Sequence, residues 1–225
     1  MDKLIPAFQD SLFDPSLRDV CVDIAELGID SLLDDGVFRS IPIAGLLLGI
    51  GETAQNVHDR NLLRQTVGFI NAFHAGTISA EKKESYRARL LGNEKFAEAE
   101  LGRVLILLDS YVDVRKSALL GKFYGAYVDE RIPRETFCEL ADVVSRVFMA
   151  DIRLLFDVYG GRVEDTSQCE GYQADRLLAL GLLCSSMKSL TIGCANDRRT
   201  QRFLRVSGLG GLFCELGAQE PGNGG

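Results

Sequence analysis

The apolar positions of this chain keep helical spacing as far as Phe148 and then change period. After Asp14-Pro15, a cap followed by proline at the first helical position, Leu17, Val20, Cys21, Ile24 and Leu27 mark one face of a helix. Beyond a break at Asp35-Gly36 lies the most apolar run of the chain, Ile41 to Gly51, whose glycines at 45, 49 and 51 suit close approach to a neighbouring helix. Leu62, Leu63, Thr66, Val67, Ile70 and Phe73 form the next stripe, which ends near Gly76. Ser79 opens a charged helix containing Glu81, Lys82, Lys83, Glu84, Arg87 and Arg89. Three further segments follow. Asn93 caps one with Ala97, Leu101, Val104, Leu105 and Leu108 on a single face; Asp113 caps one carrying Leu119, Leu120, Phe123, Tyr124 and Tyr127. Ile132-Pro133 starts the last, in which Phe137, Leu140, Ala141, Val144 and Phe148 hold the spacing. Consecutive amphipathic helices with short joints imply an antiparallel bundle, with Tyr111, Tyr124 and Tyr127 sealing its core and their hydroxyls at its edge.

From Asp151 the pattern reads helix, glycine break, helix, hairpin, helix. Asp151 is expected to cap a helix with Ile152, Leu155, Phe156 and Tyr159 on its buried face, ended by Gly160-Gly161. After a polar link, Tyr172, Leu177, Leu178 and Leu180 share a second helix that stops at Gly181, a residue suited to the left-handed position after a helix. Leu182 and Leu183 start a strand. Ser189–Ile192 and Gln201–Val206 are two more extended runs around a polar tip, Ala195–Thr200. Ser207 caps a closing helix with Leu209, Leu212, Phe213 and Leu216 at i, i+3, i+4 and i+7.

The phrase Arg176-Leu-Leu-Ala-Leu-Gly-Leu-Leu183 resembles the passage from recognition helix to first wing strand in the winged-helix domains of many prokaryotic regulators. The chain as a whole is similar to bacterial and mobile-element helical proteins that end in such a module. The fold this implies is mainly α: an N-terminal and central helical bundle over 1–149, a winged-helix-like α+β module with a short β-hairpin over 150–217, and a flexible tail over 218–225.

Charge changes this picture only locally. The first 40 residues hold nine acids against Lys3, Arg18 and Arg39, so they carry −6 of the net charge of −7. A solvated helix face accounts for that segment; the sharper alternative is that it mimics or repels nucleic acid or docks on a basic partner, and its charge also complements the wing, which would let it act as an internal gate. The six cysteines, Cys21, Cys138, Cys169, Cys184, Cys194 and Cys214, contain no C-x-x-C pair and fall mostly on apolar faces. With no secretory pattern at Met1-Asp2-Lys3, they read as reduced, buried thiols of a cytoplasmic protein.

The remaining motifs carry little chemistry. Bounded by Arg39 and Glu52, the 41–51 run falls short of the roughly 20 residues of a spanning helix, which favours a core helix over a membrane segment. Gly49-Ile-Gly51-Glu-Thr-Ala54 fits a loose G-x-G-x-x-A pattern, yet Asp and Glu are absent between Asp59 and Glu81 and the following segments are helical, so a dinucleotide site is not expected. His58 and His74 lack the spacing of a metal pair, and the 127–133 joint lacks the oxygen ligands and central glycine of a calcium loop. No metal, cofactor or catalytic residue is assigned, there being no G-x-S-x-G, H-E-x-x-H or recognisable nucleophile signature.

Function therefore rests on the C-terminal module, whose candidate DNA or partner contacts are Gln173, Arg176, Asn196, Arg198, Arg199, Arg202 and Arg205. A base-reading helix needs several Arg, Lys, Asn or Gln residues, and the candidate helix offers Gln173 and Arg176 beside Glu170 and Asp175. Residues from 151 onward hold eight bases and nine acids, without the basic excess that drives DNA affinity. The expectation is a non-enzymatic adaptor or regulator acting on a protein partner or on itself. The alternatives are a DNA-binding regulator using the arginine wing and a membrane-active bacterial effector using 41–51.

Overall fold

The computed structural model describes residues 3–14, 17, 42–49, 57–191 and 198–218. Most of the expected acidic helix, the G-x-G-x-x-A phrase beyond Gly49, residues 192–197 with Cys194 and Asn196, and the tail from Gln219 lie outside the described residues, while Arg198–Thr200 of the expected polar tip belong to a strand. The chain is mainly helical, with a small antiparallel sheet near the C-terminus. It divides into two compact units, Met1–Cys138 and Glu139–Gly225.

The first unit holds α1 (Leu4–Phe13), α2 (Pro42–Gly49), α3 (Val57–Ala75), α4 (Ala80–Gly92), α5 (Glu94–Ser110), α6 (Val114–Val128) and the start of α7 (Arg134–Arg146). Helix α1, which the sequence pattern does not announce, buries Phe8, Leu12 and Phe13, and its Ser11 hydroxyl accepts the Ile43 N–H at 3.1 Å. That N–H belongs to the first turn of α2, where no carbonyl precedes to accept it. Three expected caps form: Ser79 Oγ accepts from Lys82 N (3.3 Å), Asn93 Oδ1 from Phe96 N (3.0 Å) and Asp113 Oδ1 from Arg115 N (3.0 Å).

Helices α3 and α6 make the closest packing of this unit. A Cβ at Gly121 would run into the Phe69 carbonyl, and one at Gly68 would meet Val114 Cγ2 at 2.5 Å, so the absence of side chains at both positions sets the approach. Tyr124 lies at the centre, fully buried, with the rings of Phe69, Phe73, Tyr86, Tyr127 and Phe137 at centroid distances of 5.4–6.0 Å. Its hydroxyl meets that of Tyr86 at 2.8 Å inside the core and not at its rim. A second buried polar link joins α3 to α6: Ser117 donates to Gln65 Oε1 at 2.6 Å, while Gln65 Nε2 donates to Asn61 and to the Val112 carbonyl. This network satisfies Gln65 within the core, where an unpaired amide would cost about 1–3 kcal/mol.

In the second unit, α7 is followed by α8 (Met149–Tyr159), a 3₁₀ turn (Thr166–Gln168), α9 (Gly171–Ala179), β1 (Leu183–Thr191), β2 (Arg198–Val206) and α10 (Gly208–Gly217). The strands form one uninterrupted antiparallel hairpin, Leu183 opposite Val206 through Thr191 opposite Arg198, where the sequence pattern shows separate short runs. Gly161 and Gly181 adopt φ of +70° and +72°, the left-handed geometry that glycine tolerates after a helix. On the outer side of β2, Leu204 N donates to Glu164 O at 2.8 Å and Asp165 bridges Phe203, a rudimentary third strand. Ala174, Leu177, Leu182, Leu183, Leu204 and Phe213 supply buried apolar side chains, and Ser207 caps α10 by accepting from Gly210 N at 2.9 Å.

Four expectations about this unit are corrected. Phe148 does not continue the stripe of α7, which ends at Arg146; it precedes α8 and is 57% exposed. Asp151 does not cap α8, since Phe148 occupies the cap position; it sits in the first turn, 1% exposed. Tyr159 and Tyr172 are exposed, whereas their helical spacing places them with buried neighbours. Of the described cysteines only Cys214 is buried, and Cys184 is exposed because it falls on the outer face of the hairpin.

Candidate protein-contact surface

The buried Asp151 carboxylate organises the exposed face of α9. Arg176 of α9 reaches it with two hydrogen bonds: Nε donates to Oδ2 at 2.7 Å and an Nη donates to Oδ1 at 2.6 Å, a fork on a carboxylate. Gln173, one turn earlier on the same helix face, adds a third donor at 3.2 Å. The guanidinium pKa is raised, first by its hydrogen bonds to Asp151.

Two aromatic rings flank that guanidinium. Its central carbon lies 4.4 Å from the ring centre of Phe148 and 4.8 Å from that of Tyr172, which places a neutralised cation between two exposed aromatic side chains. Tyr172 is 58% exposed and Phe148 nearly as much, so this is outward-facing apolar surface with its polar core already satisfied. Nearby in the same unit, Arg202 of β2 donates to Asp175 of α9 at 2.6 Å and to Ser185 of β1 at 3.2 Å.

The sequence-derived contacts thus divide. Gln173 and Arg176 come together on Asp151, and Arg202 is drawn to Asp175. Arg205 is exposed on β2. Arg198 and Arg199 open β2, where only their backbone register is described, and Asn196 lies outside the described residues. Sequence reasoning missed Phe148, Asp151 and Ser185. A signal was present for Asp151, whose acid four residues before Leu155 lies on the buried face of α8.

The first unit presents a different constellation. Glu100, 4% exposed, accepts from Arg134 Nε at 2.6 Å beside the phenols of Tyr86, Tyr124 and Tyr127. Burial pushes the Tyr86 and Tyr124 phenols far above their ordinary range, so both are neutral hydrogen-bonding groups at physiological pH. Next to them a cleft of about 380 Å³ is lined by Lys82, Tyr86, Arg89, Tyr127, Ile132 and other residues of the same unit. Lys82 there donates to the Asp129 carbonyl at 2.6 Å and Arg89 stacks on Phe96 at 3.9 Å. Among the described residues no cluster of three or more His, Cys, Asp or Glu side chains could hold a metal, and no described helix is long and apolar enough to cross a membrane.

Comparisons with protein-family models, with curated proteins and with solved structures return no match for this chain.

Proposed function

We propose that this protein is a non-enzymatic adaptor or regulator acting through protein contacts, and that its C-terminal unit is winged-helix-like. The order α8, the Glu164–Asp165 segment bridged to β2, a 3₁₀ turn, α9, hairpin and α10 supports the second part of the reading. The first part is carried by one observation: the guanidinium on α9 is neutralised by Asp151 and flanked by exposed Phe148 and Tyr172. A helix that reads DNA turns its cations toward phosphates and base edges. Here α9 offers aromatic surface and an acid, Asp175, that also holds the wing's Arg202. Aromatic side chains at a satisfied polar centre are the usual anchors of protein interfaces.

The test pairs two measurements. Affinity capture from cell extract with wild type and with a Phe148→Ser/Tyr172→Ser variant is expected to retain a protein partner that the variant loses. Anisotropy of labelled random-sequence duplex DNA, titrated across salt, is expected to show no binding. Salt-dependent DNA binding that disappears on Arg198→Glu and Arg199→Glu would replace this reading with that of a DNA regulator.

A further inference from the structure

One face of α4 and the turn that follows α6 enclose the cleft of about 380 Å³ in the first unit. Lys82, Ser85, Tyr86 and Arg89 fall at i, i+3, i+4 and i+7 and so share one side of the helix. The other wall is supplied by Tyr127, Glu130, Ile132 and Pro133. The volume lies within the range of small-ligand sites, about 300–1,000 Å³.

The walls are rigid and the chemistry is divided between them. The rings of Tyr86 and Tyr127 meet at 81° with centroids 5.7 Å apart, an aromatic corner backed by Phe137, which stacks on Tyr127 at 5.6 Å. Ile132 and Pro133 extend that corner with apolar surface. Two bonds tie the ends of the walls together: Ser79 N donates to Asp129 Oδ1 at 2.9 Å, and Lys82 Nζ donates to the Asp129 carbonyl at 2.6 Å. Glu130 ends α6 with φ of +57°, its N–H donating to Tyr127 O and that of Arg131 to Ala126 O. Glycine ordinarily takes that left-handed position, and side chains held there cluster at binding and catalytic sites.

Charge selects the kind of ligand. Lys82 and Arg89 line the cleft against one carboxylate, Glu130, which stands 3.7 Å from Lys82 Nζ and is 78% exposed. The neighbouring acids are matched elsewhere, Glu100 by Arg134 at 2.6 Å and Asp129 by Arg131 at 3.5 Å. Arg89 lies 3.9 Å over the ring of Phe96, and a guanidinium held by its face keeps its N–H donors in the plane for a forked contact with a carboxylate or phosphate.

We propose that this cleft binds a small aromatic anion, a carboxylate or phosphate ester whose ring enters the Tyr86–Tyr127 corner and whose charged group meets Arg89 and Lys82. A tyrosine corner beside a carboxylate also suits an organic cation, but two cations to one acid turn the preference the other way. Glu130 competes with the ligand for Lys82, so its charge weakens the binding that Arg89 strengthens. The site belongs to the first unit alone and does not depend on the protein-contact reading of the second.

Titration of the full chain with benzoate, phenyl phosphate, benzylammonium and inorganic phosphate, followed by amide NMR shifts, tests it. One or both aromatic anions are expected to bind with a dissociation constant of about 1 mM or lower and to move the Ser85, Tyr127 and Ile132 amides. Benzylammonium and inorganic phosphate should leave those amides in place; the tighter of the two aromatic anions identifies the charged group preferred. Arg89→Ala should weaken that anion at least about fivefold, and Glu130→Gln should tighten it about threefold. Arg87→Ala removes the same charge from α4 at a residue outside the cleft and should change the affinity less than about twofold, with thermal midpoints confirming that all three variants are folded. Failure of both aromatic anions to give saturable shifts up to about 10 mM, preference for benzylammonium, equal losses in Arg87→Ala and Arg89→Ala, or weaker binding in Glu130→Gln would each overturn the proposal. None of these results bears on the capture experiment with Phe148 and Tyr172, so the two readings stand or fall separately.

Discussion

Asp151 and Arg176 form a forked ion pair with unequal ends: the carboxylate is 1% exposed, while the guanidinium side chain is 36% exposed. Removing either partner therefore has a different consequence. Arg176→Ala leaves a buried carboxylate with the Gln173 amide still donating to it and is expected to destabilise the second unit by about 2–4 kcal/mol. Asp151→Asn keeps the Gln173 contact and leaves a cation that can turn to water, at a cost of about 1–2 kcal/mol. Urea unfolding followed by circular dichroism checks the order; equal costs would mean that the pair is no more buried at one end than at the other.

Two adjacent glycines of α10 should respond with opposite sign. A Cβ at Gly210 would collide with the Leu182 carbonyl and approach Val206 Cγ1 to 2.8 Å, and a backbone carbonyl tied to Ser207 N has little room to yield. Gly210→Ala is expected to cost about 1–3 kcal/mol despite the helix propensity gained. At Gly211 no atom lies within 4 Å of the added carbon, so Gly211→Ala should stabilise by about 0.5–1 kcal/mol. Thermal midpoints of the two variants, measured against wild type, decide it.

Local chemistry explains which parts of this structure were legible in the sequence. Caps at Ser79, Asn93, Asp113 and Ser207 and the left-handed Gly181 depend on side chains within a few residues, and each forms as read. Helical spacing alone cannot tell a core position from an aromatic packed against a cation at the surface, so it places Phe148 and Tyr172 on buried faces. Asp151 looks like a cap in the sequence because its partner lies 25 residues away, beyond the reach of any periodic pattern. Arg176 and Arg202 stand out in the sequence as candidate contacts, but their carboxylate partners, Asp151 and Asp175, become visible only when the helices and strands are placed. The continuous nine-residue strand β1 appears in the sequence as fragments because Cys184, Ser185 and Ser186 are weak strand formers; register with β2 overrides their preference.

Cys214 makes the second unit sensitive to alkaline pH. Burial, followed by the nearby charge of Glu215, pushes its thiol from 9.0 up to about 11. Below pH 9 the thiol is neutral in folded and unfolded chains alike, and its contribution to stability is fully present. Between 9 and 11 the unfolded chain releases the proton first, so stability falls as pH rises, with a limiting slope of about 1.4 kcal/mol per pH unit for one group. Tyr86 and Tyr124 in the first unit shift in the same direction from higher ordinary values, so the contribution of Cys214 is isolated by subtraction. Denaturant unfolding of wild type and Cys214→Ala from pH 7.5 to pH 10.5 should give curves that run parallel below pH 9 and converge above it, the variant starting lower by the packing it has lost. Parallel curves throughout would show that the thiol ionises as easily in the folded unit as in water.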